Sequence, residues 1–478
     1  MISRDDRLRL FGRPDVAAVH LVGIGGAGMN VLARILLTLG FRVSGSDVRL
    51  TPVTERLSRR GARIADGHGD ELPGRPDLVV YSSAVAPGNP ELARARRLGI
   101  PVLHRSRLLA GLTRLKPAVA VAGSHGKTTT AALIAWIQVA AGRKPSLALG
   151  GEAIGLEDHP GWDEGDLLVA EADESDGSLD RLYPRFEVIT GLDLDHVDYY
   201  SSWEKLILTF ARFTERLPDD GLLVIAGDTP HLHRLARGGF RVVTYGLGEG
   251  AVFRGRVISL DREGSRFTVS RSGVPLGEAR LPQLGLCGVL NALGAIAFCR
   301  ETGIAFEDIA RGLKAFPGVR RRLEIKVRRP ILLLEDYAHH PAEITAALRA
   351  VRSAKPARLW CVFQPHRYSR TRHFARSLAE ALLGADGIIL ADLYPAFEEP
   401  LPGVSSRLLL ESLAELGRKD ARLLDRASIR SLLEREAAAG DAVVIMGAGD
   451  IGSLAGELAR TWSGSFPLPA ATGGSVED

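Results

Sequence analysis

Cysteine is scarce in this chain: three residues, at 287, 299 and 361, with no CxxC pair among them. That count excludes a disulfide framework and a thiolate zinc site, and it fits a reducing compartment. Aromatic residues reach only 6%, and the basic side chains are dispersed among acids without aromatic interleaving, which argues against a nucleic-acid partner. No apolar run approaches the roughly 18 residues of a membrane span. The opening Met1-Ile2-Ser3-Arg4-Asp5-Asp6-Arg7 is charged where a secretory leader would carry an apolar core. A soluble, cytoplasmic protein without membrane insertion is expected. Lysine is the remaining scarcity, eight residues against 53 arginines, so a lysine in a special setting stands out against the bias.

One such lysine lies in Val119-Ala120-Val121-Ala122-Gly123-Ser124-His125-Gly126-Lys127-Thr128-Thr129-Thr130. An apolar, β-prone run feeds a glycine-bracketed loop, and residues 128–141 then read as a helix stopped by Gly142. Two glycines let backbone N–H groups turn inward on an anion, and the helix N-terminus adds partial positive charge. Lys127 supplies a mobile full charge, a compact point charge that arginine's planar fork does not reproduce. Thr128 is placed to offer a hydroxyl to Mg²⁺. The loop is two residues shorter than the usual GxxxxGK[ST].

The length of 478 residues suits about three domains, and the chain divides accordingly into an α/β protein with boundaries near residues 115 and 320. In the first part, residues 17–22 read as a buried strand followed directly by Gly23-Ile24-Gly25-Gly26-Ala27-Gly28, a helix over 29–39, and a second strand ending near Asp47. This βαβ opening with a GxGxxG turn suits NAD or any nucleotide diphosphate, including a nucleotide-sugar. Residues 77–83 form a strand ending in the hydroxyls of Ser82 and Ser83. In the central part, the apolar stretch 166–170 runs into Glu171-Ala172-Asp173-Glu174-Ser175-Asp176, and the strand over 186–190 ends in Gly191-Leu192-Asp193-Leu194-Asp195-His196-Val197-Asp198. Carboxylates at strand ends beside a phosphate loop suit a hard cation. Residues 251–283 alternate as a small antiparallel insertion, and Leu290 and Asn291 open a helix ending near Cys299. Three arginines, 320–322, mark the second boundary. The last third restarts an α/β pattern, with polar turns at Glu335-Asp336-Tyr337-Ala338-His339-His340 and Gln364-Pro365-His366-Arg367-Tyr368-Ser369-Arg370, and a second GxGxxG at 447–452.

Six segments taken together, GIGGAGM, GSHGKTTT, EADESD, DLDHVD, DYAHHP and FQPHRYSR, span nearly the whole chain and closely resemble the Mur ligases of peptidoglycan synthesis. The resemblance is to the branch that joins L-alanine to UDP-N-acetylmuramate with ATP. It implies three domains: a UDP-sugar-binding Rossmann-like domain over 1–115, a central P-loop-type ATP-binding domain over 116–320, and a C-terminal Rossmann-like domain over 321–478 that brings the amino acid. It further implies that Gly23, Gly25, Gly26, Ala27 and Gly28 hold the UDP pyrophosphate, with Asp47, Ser82 and Ser83 near the uridine or sugar. Gly123, Ser124, His125, Gly126, Lys127, Thr128 and Thr129 would cradle ATP, with Asn291 at adenine, Asp336 at ribose and Arg322 reaching a phosphate. Thr128, Glu171 and His196 would ligate Mg²⁺. Tyr337, His339, His366, Arg367 and Arg370 would hold the alanine and lactyl ends. Lys127, His196 and His339 are the expected catalytic residues, either histidine being able to take the proton from the amine. A monomer or homodimer is expected.

Overall fold

The computed structural model describes residues 2–174, 179–193, 200, 202–229, 232–396 and 398–464. They build three sheets of five, nine and six strands, flanked by helices. Contacts divide the chain into two compact units. One runs to residue 258 and adds 266–282 and 288–319, and the other takes 259–265, 283–287 and the chain from 320. Among the described residues no helix is long and apolar enough to cross a membrane.

The first unit begins with an element absent from the sequence reading, the helix Arg4–Phe11, whose only buried residue is Leu10 and whose start is fixed by a Ser3–Asp6 capping box. Its parallel sheet runs, in spatial order, Arg63–Asp66, Arg42–Asp47, Ala18–Val22, Leu78–Tyr81, Val102–His104. A parallel sheet covered on both faces needs strands that are buried throughout, and all five residues of Ala18–Val22 are. The strand order reverses between Ala18–Val22 and Leu78–Tyr81, so the loops that follow these strands open a crevice at their carboxyl ends. The helix Ala27–Thr38 leaves one of them and buries Met29, Leu32, Ile35 and Leu36.

In the larger sheet, Ala118–Ala122 lies between Leu168–Glu171 and Phe186–Ile189, parallel to both. The loops beyond these three strands therefore meet at one edge, which sequence distance alone would not suggest. The stretch read as an insertion does not stand apart. Phe253–Asp261 pairs parallel with Arg241–Gly246 and turns at Arg262-Glu263 into Gly264–Arg271, so these strands and Val274–Leu281 continue the same sheet to its edge. The helix expected from Leu290 begins earlier and spans Gly285–Glu301.

In the second unit, Glu324–Val327 pairs antiparallel with Leu332–Asp336, and the remaining strands are parallel in the order Leu332–Asp336, Ala442–Met446, Leu359–Phe363, Gly387–Leu390, Arg422–Leu423. Ala442–Met446, last of these in sequence, is central in space. The three polar turns that follow Asp336, Phe363 and Met446 are consequently neighbours.

Glu187 breaks the apolar rule of the larger sheet. It sits between Ala120 and Leu223 on adjoining strands, fully buried, with neither carboxylate oxygen hydrogen-bonded. Burial raises its pKa well above the ordinary carboxylate range. Folding therefore takes up a proton there. The stability contribution is fully present below the unfolded pKa and is lost, at up to about 1.4 kcal/mol per pH unit, as pH rises toward the folded pKa. Glu187→Leu is expected to stabilise the protein by about 1 to 3 kcal/mol near neutral pH. Urea midpoints measured at pH 5.5 and pH 8 should differ less in the variant than in the wild type.

Candidate active site

The strand Ala118–Ala122 ends at Gly123, whose φ of 126° and surroundings both require glycine: a Cβ would stand 2.5 Å from Thr190 Oγ1 and 2.8 Å from the Gly191 carbonyl oxygen. Gly126, at φ 79°, begins the helix Lys127–Ala140 with no side-chain cap, so the first amides of that helix remain available to an anion. A Cβ on Gly126 would overlap Asn291 Oδ1, so Asn291 lies directly against the loop. Ser124 fixes the loop to the next strand end. Its N–H donates to Gly191 O at 3.0 Å, and its hydroxyl exchanges 2.8 Å bonds with the backbone of Asp193. His125 Nε2 stands 3.4 Å from the Asp193 carboxylate.

Lys127 is held by three acceptors: Gly123 O at 2.6 Å, Ser124 O at 3.3 Å and Glu174 Oε1 at 2.8 Å. Burial raises Glu174 to about 7 even though Lys127 opposes it. Burial also works against the ammonium, but Glu174, Glu171 and Asp173 outweigh it and raise its pKa. Lys127 therefore keeps its charge. One residue on, Thr128 Oγ1 donates to Glu171 Oε1 at 2.8 Å, and Glu171 Oε2 accepts the Gly150 N–H at 2.8 Å. A hydroxyl and a carboxylate side by side at a phosphate loop form a hard-oxygen pair that fits Mg²⁺. His196, expected as a third ligand, lies outside the described residues. Among the described residues no three His, Cys, Asp or Glu side chains converge on a common point.

In the five-stranded sheet, the turn after Ala18–Val22 carries Gly23 at φ 76°, and the helix Ala27–Thr38 begins at Gly26 without a side-chain cap or an acid in its first turn. This is a second free helix N-terminus. Asp47, expected near a ribose or sugar, accepts the Gly25 N–H at 2.8 Å and so also shapes the loop. Ser82 and Ser83 follow the neighbouring strand Leu78–Tyr81, and Ser83 Oγ is 3.1 Å from His104 Nε2. Sequence reasoning missed Arg105. Its guanidinium would lie 3.0 Å from a Cβ on Gly28, and it pairs with Asp173 at 3.0 Å. One arginine among 53 carries no sequence signal.

In the second unit, Asp336, Tyr337, His339, His366, Arg367 and Arg370 come together. His339 Nδ1 donates to Tyr337 O at 3.0 Å, which leaves Nε2 with a lone pair, and burial holds the ring neutral. Its centroid is 6.1 Å from that of His366. Burial, with Arg370, His339 and Arg367 nearby, lowers His366 to about 4. Arg370 Nη1 donates to His366 Nδ1 at 3.3 Å. Asp336 is 7% exposed and already accepts the N–H groups of Leu323 and Ala338, at 2.6 and 2.7 Å. Its carboxyl is thereby tied to the backbone that presents Arg322. That backbone is strained, with Arg321 at φ 58° and Leu323 at φ 44°. Arg322 itself lies 5.3 Å over the Tyr337 ring and 3.9 Å from Glu343.

Models described as "Mur ligase family, catalytic domain", "Mur ligase middle domain" and "Mur ligase, glutamate ligase domain" match residues 18–117, 121–299 and 321–449. The chain belongs to the Mur ligase family. Two curated relatives, each named UDP-N-acetylmuramate–L-alanine ligase, are those of Syntrophotalea carbinolica and Sorangium cellulosum. They are 41% and 42% identical, the alignments covering 94% and 92% of this chain and 98% and 95% of theirs. Among solved structures, a UDP-N-acetylmuramate-alanine ligase from Thermotoga maritima aligns with TM-score 0.80 at 27% identity, covering 94% of this chain and 100% of that one. A murein peptide ligase from Psychrobacter arcticus aligns at 0.68 and 26%, covering 95% and 100%. The three-domain α/β fold of this Mur ligase is thus the one expected from its motifs.

The geometry of this Mur ligase separates two glycine roles that share a helix-end position. Gly126→Ala brings a Cβ into Asn291 at a strained φ, whereas Gly142→Ala, at φ 75° with nothing within 4 Å, meets only backbone strain. Titration with a fluorescent ATP analogue should show at least about tenfold weaker binding for Gly126→Ala, while Gly142→Ala should cost about 1 kcal/mol of stability and leave binding unchanged.

Proposed function

We propose that this Mur ligase joins L-alanine to the lactyl carboxylate of UDP-N-acetylmuramate, driven by ATP and passing through an acyl phosphate, in peptidoglycan precursor synthesis. The observation that carries this reading is the convergence of Lys127, Thr128 and Glu171 at adjacent strand ends, an arrangement made for a nucleotide triphosphate. The names of the relatives supply the substrates. In this reading residues 1–115 hold the UDP-sugar, 116–320 hold ATP and 321–478 bring the amino acid, in a cytoplasmic enzyme acting as a monomer or homodimer. ATP and a UDP-sugar are both cytoplasmic reactants.

The lactyl carboxylate attacks the γ-phosphate and ADP leaves as the acyl phosphate forms, which brings anion to anion, so catalysis rests mainly on neutralising charge. Lys127 exchanges Glu174 and the loop carbonyls for the terminal phosphates, and the free amides of the helix Lys127–Ala140 cradle them. Thr128 and Glu171 would hold Mg²⁺, whose charge when bound would further neutralise the phosphates. Asn291, beside Gly126, meets the nucleotide base. Arg322, oriented by Asp336 and Glu343, reaches a phosphate. The amine of L-alanine then attacks the acyl phosphate and phosphate leaves. His339, neutral and with Nε2 unprotonated, accepts the amine proton, while Tyr337, Arg367, Arg370 and His366 orient the two carboxyl ends.

Two assays test this. Phosphate release in the presence of UDP-N-acetylmuramate should be stimulated more by L-alanine than by glycine, L-serine or D-glutamate. A preference for any of the others would reject the amino-acid assignment. Lys127→Ala should abolish release while leaving UDP-N-acetylmuramate affinity, measured by calorimetry, within about twofold of wild type.

A further inference from the structure

The second GxGxxG turn, residues 447–452, is not used by the nucleotide chemistry above, and packing accounts for its glycines. A Cβ on Gly447, at φ 155°, would stand 3.0 Å from Ile451 Cγ2 and 3.1 Å from Gln364 Cβ. One on Gly452 would stand 2.9 Å from Glu335 Cδ. One on Gly449 would stand 2.6 Å from Tyr394 Cγ and 2.8 Å from Tyr394 Cβ. Several polar groups of the turn are engaged as well. Gln364 Oε1 accepts the Ile451 N–H at 3.2 Å, Gln364 Nε2 donates to Asp450 at 2.9 Å, and Arg321 Nη2 donates to the carbonyls of Gly447 and Gly449 at 2.6 and 3.1 Å.

The residue seated on Gly449 leads back to the amino-acid cluster by two routes. The Tyr394 ring stacks on His366, centroids 5.6 Å apart and planes 10° from parallel. The Tyr394 backbone forms a bridge beside His366, its carbonyl accepting the Arg367 N–H at 2.8 Å and its N–H donating to Pro365 O at 2.9 Å. Arg367 is held at φ 70° and ψ 139°, a conformation a non-glycine residue keeps only when its surroundings enforce it. We propose that Tyr394, seated by Gly449, is a positioning residue for the amino-acid substrate, its ring fixing His366 and its backbone bridge fixing Arg367. The assignment rests on the reading that this cluster receives L-alanine. Without the ring, His366 loses its stacked face and is held only from the Arg370 and His339 side, and without the seat, the bridge shifts and Arg367 relaxes.

Steady-state ligation by full-length Tyr394→Ala, Tyr394→Phe and Gly449→Ala tests the assignment. Tyr394→Ala and Gly449→Ala should raise the KM for L-alanine at least about tenfold, with the KM for ATP and for UDP-N-acetylmuramate within about twofold of wild type, and Tyr394→Phe should restore near-normal values. An unchanged L-alanine KM, an equal rise in all three KM values, or a Phe variant as impaired as Ala would each overturn it. Should Tyr394→Ala fail to fold, Tyr394→Leu keeps bulk without stacking and must give the same split. If the wild type shows no ligation with L-alanine, the substrate reading fails instead. The His366 ring resonances then decide the positioning role, which predicts that they move in Tyr394→Leu and stay in Tyr394→Phe.

Discussion

An ammonium group drawn into the end of a sheet has to be neutralised and fully hydrogen-bonded, and the surroundings of Lys127 are arranged to do both. Two of its acceptors are carbonyls of its own loop and the third is the buried carboxylate of Glu174. The pairing binds two strand ends to each other, because Glu174 follows Leu168–Glu171 while Lys127 follows Ala118–Ala122. Desolvation is costly for each partner and tolerable for the pair, so the pair holds the loop closed on itself. Thr128 and Glu171 repeat the arrangement one residue along with a hydroxyl in place of the ammonium.

Close approach is the accompanying constraint. Gly123 meets Thr190 and Gly191, Gly126 meets Asn291, and Gly151 meets Thr128, in each case at distances that leave no room for a side chain. These contacts join segments far apart in sequence into one wall around the loop. The same steric rule governs the 447–452 turn, with a different result. Its glycines admit Gln364, Tyr394 and Glu335, so the GxGxxG pattern there marks a packing seat.

Much of the fold was legible because parallel strands buried on both faces are mainly apolar along their length and glycines follow where chains turn tightly. The strands Ala18–Val22 and Ala118–Ala122 and the helices after them stand close to where the sequence pattern set them. The helix Arg4–Phe11 was not legible, since one buried leucine makes no periodic pattern. Nor was the role of residues 253–281, because alternation identifies a half-exposed strand without saying which sheet it joins. Asp336 reads in sequence only as part of a polar turn, and the structure adds that its carboxyl is buried and accepts two backbone N–H groups.

By itself the sequence determined which local pieces exist: three α/β stretches, two glycine-rich helix starts free of acids, a lysine at a helix start in an arginine-rich chain, and acids at strand ends. These follow from short-range sterics and burial, which act within a dozen residues. Only the tertiary structure decided which pieces meet. Strand order brings Lys127 beside Glu174, helix packing sets Asn291 beside Gly126, and the pairing of Leu359–Phe363 with Gly387–Leu390 sets Tyr394 against His366 and Arg367. Contacts of that kind depend on how whole strands pack, and no local pattern encodes the partner.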